Sequence, residues 1–182
     1  MKNPYKSEVL DLIKNKLDHF RSFRNAATLR GGEQERQFKT EKWLQAELIH
    51  YFLSKNIRAI PEYSQQRWDI CVDGTLLALK CFADSAQTAH ADYVGGVRRD
   101  SGKYAGVKKD LDAIAETPIG QAAFALILPL DPNDKKREKY RNEMLECVDK
   151  HPKRKNMSVE KIAFHFPENA PDGIVVVWIQ RK

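Results

Sequence analysis

The dipeptide Asp73-Gly74, set between two runs of apolar and β-branched residues, is the feature that most constrains the fold of this chain. An Asp-Gly pair in this setting favours a two-residue β-hairpin turn, because both residues tolerate the positive φ angles of that turn. The flanking runs predict strands over residues 67–72 and 75–82. A two-residue loop pairs Val72 with Thr75, and this pair fixes every other partner of the hairpin.

The register of this hairpin predicts that three positions share one face of the sheet. Counting back from the turn, Asp69 falls directly opposite Ala78. Directly opposed residues share a face, and alternation by two places Lys80 on the face of Ala78. A carboxylate and an amine are therefore expected to lie close together on neighbouring strands.

The rest of the chain predicts one α/β domain, in which a mixed β-sheet is flanked by helices. A chain of 182 residues is long enough for one substantial core but short for two domains. The domain is expected to cover residues 1–182, with an N-terminal helix at 7–24, a core at about 33–130, and a C-terminal helix with strands at 134–182. Its other predicted elements are helices at 33–55, 107–116 and 135–148 and strands at 58–63, 122–130, 161–166 and 174–180.

The helix before the hairpin contributes a further carboxylate. At about 100° per residue, Glu47 falls inside the arc formed by Trp43, Leu44, Tyr51 and Phe52. Its side chain is therefore expected to point toward the packed side of the helix. A charge buried there requires a partner, because an unpaired buried charge is strongly unfavourable.

Glu47 on a helix, Asp69 on one strand and Ala78-Leu79-Lys80 on the next resemble the PD-(D/E)xK signature of restriction-endonuclease-like nucleases. The segment 104–111 also resembles the start of the helix that follows this hairpin in several members, and the resemblance covers about 41–128. It implies a restriction-endonuclease-like core and a divalent ion, magnesium or manganese, held by Glu47, Asp69 and the Leu79 carbonyl. Lys80 would then place or activate the attacking water.

The same resemblance implies hydrolysis of phosphodiester bonds in DNA, with double-stranded DNA as the preferred substrate. It also implies a role in restriction or defence, and it is compatible with a homodimer. A hard cation on oxygen ligands suits that chemistry, because it neutralises developing negative charge and generates hydroxide near neutral pH. Ala78 departs from the signature, since the family has Glu or Asp there and a methyl group cannot bind a metal ion. Three interpretations stay open: an engineered replacement of a catalytic Glu, a natural variant that uses Glu62 instead, and a naturally inactive binding domain.

The charge of the chain favours a polyanionic partner. The formal net charge is +6 at pH 7, and basic residues attract phosphates over long distances. Candidate phosphate contacts are Arg98, Arg99, Lys108 and Lys109. An alternative function is a catalytically inactive nucleic-acid-binding or assembly module with the same fold, and another is a protein-interaction domain without nucleic acid.

Several classes of protein are disfavoured by composition. The chain has 3 cysteines and no CxxC pair, which argues against a disulfide framework and a cysteine-rich zinc site and favours a reducing, cytoplasmic setting. Its 5 histidines show no metal-binding spacing. No apolar run approaches the roughly 20 residues that span a bilayer, so neither export nor membrane insertion is expected.

Overall fold

The computed structural model describes residues 3–21, 40–62, 68–81, 105–167 and 171–182. The order of elements in these ranges agrees with the order expected from the sequence. The helices are α1 (Lys6–Asn15), α2 (Thr40–Ser54), α3 (Ala105–Glu116) and α4 (Lys135–Asp149). The strands are β1 (Ala59–Glu62), β2 (Trp68–Val72), β3 (Thr75–Cys81), β4 (Ala122–Leu130), β5 (Met157–His165) and β6 (Gly173–Arg181), with a 3₁₀ turn at Arg154–Asn156 before β5.

The six strands form one mixed sheet in the order β1-β2-β3-β4-β6-β5. Strands β3 and β4 are parallel, and each of the other neighbouring pairs is antiparallel. The parallel pair is joined by a long connection that contains α3, as a parallel crossover requires. The predicted mixed sheet flanked by helices is therefore confirmed.

Each face of the sheet has its own apolar core. On one face, α1 and α2 pack against the sheet through residues such as Ile13, Leu48 and Phe52, all fully buried. On the other face, α3 and α4 do so through residues such as Leu111 and Val148. Strand β4 is buried along nearly its whole length, because it lies inside the sheet between these two layers.

Strand β4 has the bounds expected from the sequence, 122–130, and Pro129 lies within it, paired with Ile174 of β6. The neighbour on the other side ends at Cys81, opposite Ile127, so the missing N–H of Pro129 leaves no gap in the β3 ladder. Strand β5 begins at Met157, four residues before the expected start. The sequence does not mark this start clearly, because β5 is a half-exposed edge strand with a weak apolar pattern.

Candidate active site

The hairpin has the predicted register. Asp73 and Gly74 have φ angles of 45° and 84°, and positive φ at both central residues is typical of the favoured two-residue turn. Val72 pairs with Thr75, as expected, and Ile70 pairs with Leu77. One step beyond this ladder, the Asp69 carboxylate accepts a hydrogen bond from the Leu79 N–H at 2.7 Å. The Asp69 side chain therefore lies against β3 between positions 78 and 80.

Lys80 lies among three carboxylates contributed by different elements. Its Nζ donates a hydrogen bond to Glu41 Oε1 of α2 at 3.4 Å and lies 3.7 Å from Asp110 Oδ2 of α3. Asp69 also acts on Lys80 electrostatically, and the same Nζ donates to the Leu79 carbonyl at 3.2 Å. We refer to Glu41, Asp69, Lys80 and Asp110 as the Lys80 cluster. One turn and two helices thus bring distant charges to one place.

The helix carboxylate beside Lys80 is Glu41, and this corrects the predicted placement of Glu47. Glu47 forms an ion pair with Lys16 at 2.8 Å and is electrostatically coupled to His19. Six residues along a helix correspond to about 600°, so Glu47 and Glu41 point about 120° apart around α2. Glu47 therefore lies on the flank of α2 that faces the N-terminal helical segment, at the opposite edge of the broad apolar arc from the one expected.

Glu41 and Asp110 were both missed as site residues, although each has a periodic signal. Glu41 is in phase with the buried Leu44 and Leu48, three and seven residues further along α2. Asp110 follows the buried Val107 by three residues and precedes Ile114 by four on α3. Each of the two residues is 8% exposed as a whole. Glu41 and Asp110 can be identified in the sequence because each places a carboxylate at a helix position that is in phase with buried apolar residues.

Burial and mutual charge shift the protonation equilibria of the cluster. Burial raises the pKa of Asp110 to about 6, and the charges of Asp69 and Glu41 add to this effect against the opposing charge of Lys80. Burial likewise raises the pKa of Asp69, although the hydrogen bond from Leu79 opposes the shift. Burial lowers the pKa of Lys80, but the carboxylates outweigh it, so this pKa stands above its ordinary value. The ammonium is therefore held in its charged form.

The pKa of Asp110 predicts a pH-dependent effect of Asp110→Asn. Because the pKa rises from 3.8 to about 6 on folding, the native state binds more protons than the unfolded state between these values. Stability therefore falls as pH rises through this window. Asparagine imitates the protonated form, so the variant is expected to be more stable than the parent by roughly 1–3 kcal/mol at pH 7.5 and about equal at pH 4. Urea unfolding at the two pH values measures this, and an equal difference at both would contradict the assignment.

Glu62, the alternative ligand considered from the sequence, lies at the border of the cluster. It forms an ion pair with Lys42 and accepts a hydrogen bond from Gln45 Nε2 at 3.1 Å. The hydrogen bond from Lys42 lowers the pKa of Glu62, with burial opposing and Gln45 contributing. Gln45 Nε2 also donates to the Asp69 backbone carbonyl at 2.5 Å. The Glu62 carboxylate therefore already has an ion-pair partner and a hydrogen-bond donor, and Gln45 bridges it to the Asp69 backbone.

Ala78 lies in the apolar core beside the cluster. It is 1% exposed and belongs to the same buried group as Val107, Leu111 and Phe124 on the α3 side of the sheet. By strand alternation, a side chain at position 78 projects from the face of β3 that carries Lys80. A carboxylate at this position would consequently face the same layer as Asp110.

The predicted phosphate contacts have different outcomes. Arg98 and Arg99 lie outside the described residues. Lys108 and Lys109 are exposed on α3, directly before Asp110. The charge of Lys109 acts on Asp110, whereas that of Lys108 acts on Cys147 and His151. Lys109 is thus an exposed basic residue with an electrostatic link to the Lys80 cluster.

Comparison with protein-family models, curated proteins and solved structures finds no match to this chain. Within the described ranges, no three His, Cys, Asp or Glu side chains are arranged as a metal-binding group. In that same part of the chain, no helix combines the length and apolar character needed to cross a membrane. Because no relative indicates a function, the buried charges of the Lys80 cluster are the basis for the function proposed below.

Proposed function

We propose that the chain is a metal-dependent endonuclease of restriction-endonuclease-like fold, which hydrolyses phosphodiester bonds of DNA and is silenced by Ala78. The observation that supports this most is the position of Lys80. Its ammonium lies on a hairpin strand, next to the carboxylate of the partner strand and within 3.4 Å of a carboxylate from the preceding helix. A strand aspartate, a strand lysine and a helix glutamate are three of the four side chains in the nuclease signature, and the fourth is the carboxylate that Ala78 lacks.

The oxygen donors of the cluster fit a hard divalent cation. Carboxylate and carbonyl oxygens are the ligands that magnesium and manganese prefer, and the cluster contains no nitrogen or sulfur donor other than the Lys80 amine. Asp110 Oδ2 is buried and has no hydrogen-bond partner in the described structure, as expected for an oxygen that a cation would satisfy. Glu41, Asp69 and the Leu79 carbonyl are the groups that would hold the cation.

Each of these residues has a role in the proposed reaction. Magnesium, when bound, would neutralise charge on the phosphate and lower the pKa of a water molecule. Asp69 is fixed by the Leu79 N–H, so its carboxylate keeps one orientation on β2. Lys80 is charged and lies beside the proposed cation ligands, so its Nζ would orient the attacking water. The exposed Lys109 would contact a DNA phosphate.

The proposed biological setting follows from the resemblance and from the charge. Double-stranded DNA is the proposed substrate, because the chain carries a net charge of +6. A cytoplasmic role in restriction or defence, with two active sites brought together in a homodimer, extends the same proposal. Salt-dependent binding to duplex DNA would support a nucleic-acid partner, whereas binding without salt dependence would favour a protein-interaction domain.

Restoring glutamate at position 78 tests the enzymatic function. Ala78→Glu is expected to nick and linearise supercoiled plasmid in the presence of magnesium or manganese, at a rate at least on the order of 100-fold above that of the parent chain. Ala78→Gln is the matched control, because it adds the same bulk to the same buried position without the charge. Asp69→Ala in the Ala78→Glu background is expected to abolish cleavage. Circular dichroism establishes that each variant is folded.

The packing of Ala78 favours a second candidate function, a non-catalytic nucleic-acid-binding or assembly module. Its methyl group is fully buried with Leu111 and Phe124, as expected where an apolar core has replaced a ligand. An Ala78→Glu variant that is folded and binds DNA but does not cleave it would support this module instead of the enzyme.

A further inference from the structure

Asp110 is a buried carboxylate whose bonding is incomplete. Its residue is 8% exposed, and its Oδ2 accepts no hydrogen bond in the described part of the chain. The Lys80 ammonium lies 3.7 Å from this oxygen, a distance too long for a hydrogen bond. Burying an oxygen of this kind is unfavourable unless a ligand satisfies it, so Oδ2 requires an explanation.

The Lys80 ammonium occupies the space between the carboxylates of the cluster. It bonds to Glu41 on one side, faces Asp110 on another, and is acted on by Asp69. A lysine ammonium is a compact charge on a flexible four-carbon stem, so its position changes at little energetic expense. The ammonium therefore lies among carboxylates that do not form a ready-made ligand group in the described ranges.

We propose that Asp110 is a ligand of a divalent cation together with Glu41 and Asp69, in place of the side chain that Ala78 lacks, and that the Lys80 ammonium occupies this site until the cation displaces it. This cation site is the site of the proposed function, and any catalytic role of the cation rests on that function. Cation binding itself is measurable without DNA.

Glu62 is the other carboxylate that could complete the site, and its contacts argue against it. Lys42 forms an ion pair with Glu62, and Gln45 donates a hydrogen bond to the same oxygen, Oε1. The Glu62 side chain is also 38% exposed, whereas that of Asp110 is 11% exposed. A satisfied, exposed carboxylate gains less from a cation than a buried one with an unbonded oxygen.

Competition between Lys80 and the cation has a measurable consequence. The apparent affinity of a site is reduced by the fraction of molecules in which the site is already occupied. Lys80→Met keeps most of the side-chain volume and removes the ammonium. Its affinity for Mn²⁺ is therefore expected to exceed that of the parent chain by about ten-fold or more.

Titration with Mn²⁺, followed by the electron paramagnetic resonance of the free ion and without DNA, tests the inference on the full chain. Asp110→Asn is expected to weaken binding at least about ten-fold, and Lys80→Met to tighten it. Asp112→Asn is the matched control, because Asp112 lies on the same helix but contacts His151 and Lys153. Equal affinities for Asp110→Asn and Asp112→Asn, or weaker binding by Lys80→Met, would overturn the inference.

Thermal unfolding provides a second readout that stands even if Lys80→Met is poorly folded without a cation. Mn²⁺ is expected to raise the melting temperature of Lys80→Met more than that of the parent, and this gain is expected to vanish in Lys80→Met/Asp110→Asn. A gain that persists in the double variant would contradict the role of Asp110. If Ala78→Glu fails to cleave DNA while the Mn²⁺ results hold, only the proposed enzymatic function fails.

Discussion

Lys80→Met is expected to lower the free energy of unfolding at pH 7.5 by about 3–5 kcal/mol, because it leaves buried carboxylates without their counter-charge. Glu41 and Asp110 have side chains only 10% and 11% exposed, so water screens their mutual repulsion poorly. The loss is expected to diminish between pH 7.5 and pH 5. Removing the ammonium raises the pKa of Asp110 further, and protonation then relieves the repulsion.

Urea unfolding in buffer free of divalent cations measures this effect. Lys14→Met is the control, because Lys14 is exposed on α1 and is expected to change stability by less than about 1 kcal/mol. If Lys80→Met and Lys14→Met destabilise equally, or if the loss for Lys80→Met does not depend on pH, the ammonium does not balance the carboxylates of the cluster.

Glu41→Gln in the Ala78→Glu background is expected to reduce plasmid cleavage by at least on the order of 100-fold. Glu41 contacts Lys80 directly, and the loss of one group that stabilises charge in a transition state has an effect of this size. Glu47→Gln in the same background is the matched comparison, because it makes the same chemical change on the same helix. It changes contacts outside the Lys80 cluster, chiefly the partly exposed ion pair with Lys16, which is worth roughly 0.2–1 kcal/mol of stability.

The two variants decide between the two glutamates of α2. Cleavage by the Glu47→Gln variant is expected to stay within about three-fold of the Ala78→Glu rate, since Glu47 pairs with Lys16 and not with a member of the Lys80 cluster. If Glu47→Gln abolishes cleavage and Glu41→Gln does not, the helix ligand is the one first expected from the sequence. Initial rates at saturating magnesium provide the comparison.

The hairpin was predictable because its geometry is local. Asp73-Gly74 determines the turn, and the turn determines the pairing that places Asp69 beside β3. The helix carboxylate was less predictable because it depends on how α2 lies on the sheet. Periodicity shows that one side of α2 is apolar, but it does not tell which edge of that side faces β3 and which faces α1.

Asp110 was missed for a related reason. Its position in phase with Val107 and Ile114 is visible in the sequence, but an acidic residue at such a position is ordinarily assigned to solvent. Only the packing of α3 against β3 brings it to Lys80. The start of the edge strand β5 was hard to predict for a different reason. Its half-exposed residues alternate too weakly between apolar and polar to mark where the strand begins.

The decisive measurement is the initial rate of plasmid cleavage by Ala78→Glu as a function of magnesium concentration. The parent chain and Ala78→Glu/Asp69→Ala are measured alongside it. A nuclease site around Lys80 predicts that the rate rises with magnesium for Ala78→Glu alone and disappears when the metal is chelated. A folded Ala78→Glu protein with no magnesium-dependent cleavage, or with cleavage that survives the loss of Asp69, would contradict it.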